Sequence, residues 1–560
     1  MIAGPIAART IPELLTLAAS RDPDGIWLRA DDAGPAFAEG RGLTFAGAAG
    51  RVGAVAAALR EAGVRRGDLV VVTARGTPPY LLCWLALASL GAVTVATNPR
   101  GAPAELAGLV RQVSPRALIS DAGLAGLVDA AGVSAVPELG VLDVDALSPG
   151  KHGASEHGAS EHGGAGCELP DAGVRPDDLA AVIPTSGTTG RSKLVMQTHR
   201  AYAMAGEGFP YWMELTAADR LMTSLPLFHI NAPAYSVLGS LACGAGLVLL
   251  PRFSASGFLD SARRHGATEF NAIGAMLEIL MRQPPRADDA DNPLRLCYTG
   301  PAPERARQLE IEARFGLRIV VGYGMSESPY GLIWPRGTRP FGTLGAVRQH
   351  PVLGVVNEAR VTGGSGADLG PGETGELLLR NPTVTPGYWG MPEETARVIT
   401  DGWLHTGDLV TVGADDTYTF VSRVKEVLRR RGENLSPLEV EEALAAHPAV
   451  LECAVVGVPS ELSEEDVKAF VVAADGAALD FGELREFAAG RLAAFKVPRY
   501  WQQVDDLPRT PTSRVARHLL PAGHPPGEYD AEAAAPGLTG AGAPGLTGAG
   551  ATAPCGEDEP

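Results

Sequence analysis

The chain has 560 residues, 45% of them hydrophobic and 20% charged, an ordinary globular mixture that is too long for one hydrophobic core. Lys and Arg number 47 against 65 Asp and Glu, a net charge of −18, which disfavours nucleic acid or anionic lipid as a partner and means that any polyphosphate site must be built locally. Six cysteines (Cys83, Cys167, Cys243, Cys297, Cys453 and Cys555) form no CxxC pair and match no zinc spacing, so a disulfide scaffold and a zinc module are excluded and reduced thiols in a cytoplasmic protein are expected.

Residues 1–10 lack the basic-then-apolar order of a secretion signal. Residues 52–59 have helical period, and 69–72 are a short apolar run that predicts a buried strand. Residues 76–99 and 230–251 are nearly free of charge, but Gly91 interrupts the first, and Gly244 and Gly246 the second. Each ends in an aliphatic run, so each predicts a buried helix, a glycine turn and a buried strand rather than a membrane span of about 20 residues. The alternation of helix and strand signals from residue 11 to 250 predicts an α/β fold, with parallel or mixed sheets covered by helices. Residues 152–164 repeat His-Gly-Ala-Ser-Glu and predict a solvated low-complexity insertion.

Residues 184–195 read Pro-Thr-Ser-Gly-Thr-Thr-Gly-Arg-Ser-Lys-Leu-Val and follow an apolar run at 179–183 that should be a strand. Gly187 and Gly190 let backbone N–H groups converge on an anion. Thr185, Ser186, Thr188 and Thr189 add hydroxyl donors, and Lys193 adds a positive charge. The spacing is not GxxxxGK[ST], which disfavours a Walker-type NTPase.

Further along, 440–444 predicts a helix, and 453–458 and 468–472 predict strands. They form a second, smaller α+β unit that begins near residue 422. After residue 521 the composition collapses to Ala, Gly, Pro and Thr, with 537–544 nearly copied at 545–552. Such a tail buries too little apolar surface to offset its ordering entropy. The expected organisation is a large domain over 1–421, a small mobile domain over 422–521 and a disordered tail over 522–560.

The 184–195 segment resembles the phosphate-binding signature of the adenylate-forming superfamily: acyl-CoA synthetases, peptide-synthetase adenylation domains and luciferases. Four more segments resemble its other elements in the same order. They are 322–328 (Gly-Tyr-Gly-Met-Ser-Glu-Ser), 402–409 (Gly-Trp-Leu-His-Thr-Gly-Asp-Leu), 423–428 (Arg-Val-Lys-Glu-Val-Leu) and 508–514 (Pro-Arg-Thr-Pro-Thr-Ser-Arg). With 43–45 and 91–93, the resemblance covers about residues 10–520. Residues 227–229, Leu-Phe-His, are closest to crotonobetaine/carnitine-CoA ligase-like members.

The resemblance implies ATP-dependent adenylation of a small acid. Residues 185–190 and Lys193 would hold the β- and γ-phosphates, and Glu327 would ligate Mg²⁺. Tyr323 would stack on adenine, opposite Gly300, Pro301 and Ala302, with Ser326 nearby in the same motif. Asp408 would accept hydrogen bonds from both ribose hydroxyls, for which a carboxylate has the acceptors. Arg423 would approach the ribose and phosphate, Lys425 would serve as the hinge of the small domain, and residues 432–434 would face the second substrate. Phe228 and His229 would border the acid pocket, with His229 counted among the catalytic residues.

Three positions depart from the family pattern. Arg514 stands where a catalytic lysine is usual, Ser192 replaces a proline and Leu194 a glycine; Arg517 offers an alternative register for the lysine. Arginine keeps the charge but presents a planar fork. The leading expectation is acid:CoA ligation through an acyl adenylate, releasing AMP and pyrophosphate. A carrier-protein thiol as acceptor needs no change of motif. Adenylation of nitrite with transfer to an aromatic amine is an alternative, and a nucleotide-binding protein without turnover is another. No nucleic acid or membrane partner is expected.

Overall fold

The computed structural model describes residues 9–31, 42–147, 168–185, 193–300, 302–424, 428–430, 433–460, 465–509, 515–521, 523–525 and 527–531. The 152–164 insertion, residues 186–190, Pro301, Lys425, Gly432, Arg514 and the 537–552 repeat lie outside them.

Two compact units divide the chain: Met1–Glu426 with Arg509–Arg514, and Val427–Pro508 with Val515–Pro560. The large unit contains three sheets. A nine-stranded sheet runs Ala346–Val347, Ser328–Ile333, Arg318–Met325, Leu296–Thr299, Glu269–Asn271, Arg220–Thr223, Gly246–Leu249, Ile26–Ala30 and Leu43–Thr44. Its interior pairs are parallel and its edge pairs antiparallel. A six-stranded sheet runs Val141–Asp143, Ala117–Ser120, Leu69–Thr73, Val93–Ala96, Leu179–Thr185 and Lys193–Thr198. It is parallel except for the last pair. Parallel strands connected by helices are covered on both faces, and so read as continuous apolar runs rather than as alternation.

The two uncharged stretches resolve as expected. Helix Pro78–Leu90 opens on proline, where a missing N–H costs nothing, and strand Val93–Ala96 follows. The second stretch holds a π-helical turn Ala232–Val237, helix Leu238–Cys243 and strand Gly246–Leu249. Gly91 (φ 68°) and Gly244 (φ 77°) sit between helix and strand in the left-handed region, which favours glycine. Among the described residues no helix is long and apolar enough to cross a membrane.

The third sheet, which the alternation pattern does not announce, is wholly antiparallel. It is built from Glu358–Thr362, Thr374–Arg380, Trp403–Val412, Ile399–Thr400 and Tyr418–Arg423. Its own core includes Leu332, Val361, Leu377, Leu379 and Val410.

In the small unit, helix Pro437–Ala445 and strands Val450–Pro459 and Glu465–Ala473 contain the three expected elements. The expectation that disorder begins at residue 522 needs correction. Strand Tyr529–Asp530 pairs antiparallel with Tyr500–Gln503, and Ala531 is buried in the unit's core. Lys468, fully buried, meets Glu528 at 2.6 Å and donates to the Gly523 carbonyl at 2.8 Å. A buried ammonium requires such partners, and here they come from beyond residue 522.

Candidate active site

Strands Leu179–Thr185 and Lys193–Thr198 pair with Thr185 opposite Lys193. Thr185 Oγ1 donates to the Lys193 carbonyl at 3.4 Å. The hairpin therefore brings these two flanking residues together. The free edge of strand Lys193–Thr198 is taken by residues 387–389: Met196 N donates to the Gly387 carbonyl (3.0 Å), and Trp389 N to the Leu194 carbonyl (2.8 Å). This pairing sets Tyr388 beneath the lysine, with Nζ 4.7 Å from the ring centroid. Lys193 Nζ also lies 3.3 Å from Glu394 Oε2.

The Tyr388 hydroxyl donates to Glu327 Oε1 at 2.9 Å. Glu327 is 8% exposed, and its main chain is held by Thr385, whose N–H donates to the Glu327 carbonyl at 2.7 Å. Gln197 donates to the carbonyl of Ser326, which is itself half-buried. Burial pushes the Glu327 carboxyl above its ordinary value; the Tyr388 hydrogen bond and the charges of Lys193 and Arg423 oppose that push. Both cations thus act on this carboxylate. Burial, followed by the charge of Glu327, raises the Tyr388 phenol.

Asp408 lies on strand Trp403–Val412, 3% exposed and directly opposite Arg423 in the antiparallel register. Its Oδ2 accepts from the Tyr323 hydroxyl at 2.6 Å, and its Oδ1 lies 3.1 Å from Arg423 Nε. Burial and the adjoining carboxylate push the Tyr323 phenol well up, so it stays a donor. The turn before Asp408 is fixed by two bonds: Asp408 N donates to Thr406 Oγ1 (3.1 Å), and Gly407 N to Glu376 Oε1 (3.0 Å). Gly300 packs against the 322–328 segment that carries Tyr323. A Cβ added there would stand 2.5 Å from the Gly322 carbonyl oxygen, so only glycine allows the approach.

His229 is half-buried, its ring 4.4 Å from that of Phe228. Residues 229–231 lead into the π-helical turn Ala232–Val237, a distortion that often marks functional positions. Tyr235 on that turn donates to the Pro329 carbonyl, two residues beyond Glu327. Arg517 is 2.7 Å from Glu441 within the small unit, a structural pairing that bears on its use as a substitute for the family lysine.

Three sheets thus deliver Lys193, the 322–328 motif and Asp408 to a connected group of side chains. Tyr388, Glu394, Thr385 and Glu376 join them without having been legible in the sequence. Tyr388 stands in Pro-Gly-Tyr-Trp at 386–389, which carries no charge pattern. The signal that would have found it is the strand-edge pairing, which is a long-range fact.

Residues 18–389 match the model of the AMP-binding enzyme family, and 439–514 match the AMP-binding enzyme C-terminal domain. Crotonobetaine/carnitine–CoA ligase of Escherichia coli is 32% identical over 469 residues, covering 82% of this chain and 89% of that protein. Feruloyl-CoA synthase of an Amycolatopsis species is 33% identical over 482 residues, covering 85% and 93%. Among solved structures, ATP-bound MatB from Rhodopseudomonas palustris has a TM-score of 0.77 at 27% identity, covering 91% of this chain and 98% of that one. O-succinylbenzoate CoA synthetase of Bacillus subtilis, in complex with its acyl-adenylate intermediate, has a TM-score of 0.75 at 25% identity, with coverages of 91% and 98%.

Proposed function

The chain belongs to the AMP-binding enzyme family, and on that premise we propose that it ligates a carboxylic acid to coenzyme A through an acyl adenylate. In the first step a carboxylate oxygen bonds to the α-phosphorus of ATP and the bond to pyrophosphate breaks. In the second the CoA thiol attacks the acyl carbon, loses its proton and displaces AMP. The observation that carries this reading is the linkage of Lys193, Tyr388 and Glu327 beside the Tyr323–Asp408–Arg423 group. It supplies the cations and aimed donors that phosphoryl transfer requires, with no covalent nucleophile.

In this reading Thr185, Ser186, Gly187, Thr188, Thr189, Gly190 and Lys193 bind the phosphates. Gly300, Pro301, Tyr323 and Ser326 line the adenine. Asp408 and Arg423 hold the ribose, and His229 borders the acid. Magnesium bound through nucleotide phosphates needs only one or two protein carboxylates. Glu327, a buried carboxylate held by one phenol, fits that role. Among the described residues no group of three or more His, Cys, Asp or Glu forms an all-protein cage. The ion would neutralise charge on the phosphates. Lys425, which in sequence lies two residues before the second unit begins at Val427, would serve as the hinge of the small domain. A cytoplasmic location belongs to the same proposal; Cys83, Cys243, Cys297 and Cys453, free thiols among the described residues, support it.

The test is pyrophosphate release from ATP and Mg²⁺ over a panel of carboxylic acids and nitrite, with and without CoA or an arylamine. Thioester formation from a carboxylic acid is expected. Nitrite-dependent AMP release that requires an arylamine and ignores CoA would reject the reading, as would nucleotide binding without cleavage. Arg514→Ala is expected to slow adenylation while thioester formation from supplied acyl-AMP continues, and Arg514→Lys to be tolerated, since lysine carries the same charge.

A pH prediction follows from Tyr388. Its hydrogen bond favours the charged form of Glu327. Tyr388→Phe removes that bond, so the Glu327 pKa rises further. The acidic limb of kcat/KM for ATP is then expected to move to higher pH. An acidic limb that stays in place would detach Glu327 ionisation from the reaction.

A further inference from the structure

Lys193 meets two groups from one short segment: the Tyr388 ring, 4.7 Å from Nζ, and Glu394 Oε2, at 3.3 Å. The segment holds these two groups in fixed relation. Thr395 Oγ1 accepts from the Tyr388 N–H at 2.9 Å and donates to the Met391 carbonyl at 2.9 Å. These bonds tie the start of helix Pro392–Val398 to the strand-edge residues 387–389. A Cβ on Gly387 would stand 2.5 Å from Thr395 Cγ2, and Gly387 has φ 137°, so the helix closes on this edge only because residue 387 is glycine. Tyr388 is anchored in turn by its hydroxyl on Glu327.

The Lys193–Glu394 contact has the properties of an exchangeable one. Lys468 and Lys496 meet their carboxylates at 2.6 Å, against 3.3 Å here. The two side chains are 21% and 35% exposed, so water reaches both and the pair is held weakly. Glu394 is not left uncompensated when the lysine departs, because its Oε1 accepts from Arg397 Nη1. An ammonium is a compact charge with three donors on a flexible stem, so Lys193 can pass from a carboxylate oxygen to a phosphate oxygen without rearrangement of the strand that carries it. We propose that Glu394 is a positioning residue that acts through Lys193. It holds the ammonium when no polyphosphate is bound, and it competes for the ammonium with the pyrophosphate that adenylation releases. That competition lowers the affinity of the site for pyrophosphate and favours its departure. This rests on the adenylation reading above, in which Lys193 binds the phosphates.

The test is calorimetry of pyrophosphate with Mg²⁺ on the full-length protein, alongside a melting curve for each variant. The variants are Glu394→Gln, Glu393→Gln, Lys193→Met and the Lys193→Met, Glu394→Gln pair. Glu394→Gln keeps the shape and removes the charge, so pyrophosphate is expected to bind about three- to fivefold more tightly, the weight of a partly exposed ion pair. Glu393→Gln removes an equal charge from the exposed neighbour and is expected to leave the affinity unchanged. In the Lys193→Met background Glu394→Gln should have no effect, because residues that act as one unit are not additive. A purely structural role would instead weaken binding and lower the Tm. Unchanged or weaker binding by Glu394→Gln overturns the proposal, and so does the same tightening with Glu393→Gln or in the Lys193→Met background. Wild type that binds neither ATP nor pyrophosphate rejects the adenylation reading. Wild-type pyrophosphate binding that Glu394→Gln leaves unchanged rejects only this inference.

Discussion

Asp408→Ala is expected to lower kcat/KM for ATP by at least about two orders of magnitude, since two hydrogen bonds to a charged group are worth about 1.5–3 kcal/mol each. The carboxylate already takes one bond from Tyr323 and faces Arg423. A carboxylate offers about four lone-pair sites, so two remain for a ribose diol. Alanine removes those two, and also leaves a buried phenol without its acceptor. Asp408→Asn keeps the shape and one acceptor oxygen, so an intermediate loss is expected. Steady-state kinetics with ATP varied, alongside a melting curve for each variant, separate the binding loss from unfolding. An unchanged kcat/KM in a folded Asp408→Ala would remove the nucleotide from this position.

A chain ending at His524 is expected to be substantially less stable than one ending at Ala531. The shorter chain lacks strand Tyr529–Asp530, the Asp530 partner of Arg499 (3.2 Å) and the buried Ala531. Above all it lacks Glu528, which faces the fully buried Lys468 at 2.6 Å. Removing one partner of a buried ion pair costs about 3–5 kcal/mol. Lys468 keeps the Gly523 carbonyl and the Phe470 ring, 4.7 Å away, which favours the lower end. For a unit of this size that is a fall in Tm of at least about 10 °C. The chain ending at Ala531 should melt with the full-length protein, because the Ala/Gly/Pro/Thr composition of 532–560 offers little apolar surface to bury. Thermal melts of the three chains decide it. Equal Tm values for the chains ending at His524 and Ala531 would mean that the Lys468–Glu528 pair contributes nothing.

The order of elements was open to reading in the residues themselves. A proline opening a helix, a glycine with positive φ closing it and an aliphatic run after it are local backbone chemistry. That is why helix Pro78–Leu90, Gly91 and strand Val93–Ala96 followed from 76–99. Lys193, Tyr323, Glu327 and Asp408 could be singled out as candidates because each stands in a short motif that is compact in the chain. The tail boundary failed for a related reason. Ala, Gly and Pro dominate from residue 522 onward, but Glu528, Tyr529 and Asp530 are stabilised by Lys468, Trp501 and Arg499, and composition cannot register partners that distant.

By itself, then, the sequence determined the α/β class and where the charged groups stand along the chain, because periodicity and turn chemistry act over a few residues. Only the tertiary structure decided which groups meet. It formed the antiparallel sheet that sets Asp408 opposite Arg423. It seated Tyr388 between Lys193 and Glu327 by pairing residues 387–389 with the edge of strand Lys193–Thr198. It also enclosed Arg348 in three rings drawn from three separate segments. Strand register and side-chain burial are set by contacts between residues far apart in the chain, and such contacts leave no period in the sequence to be read.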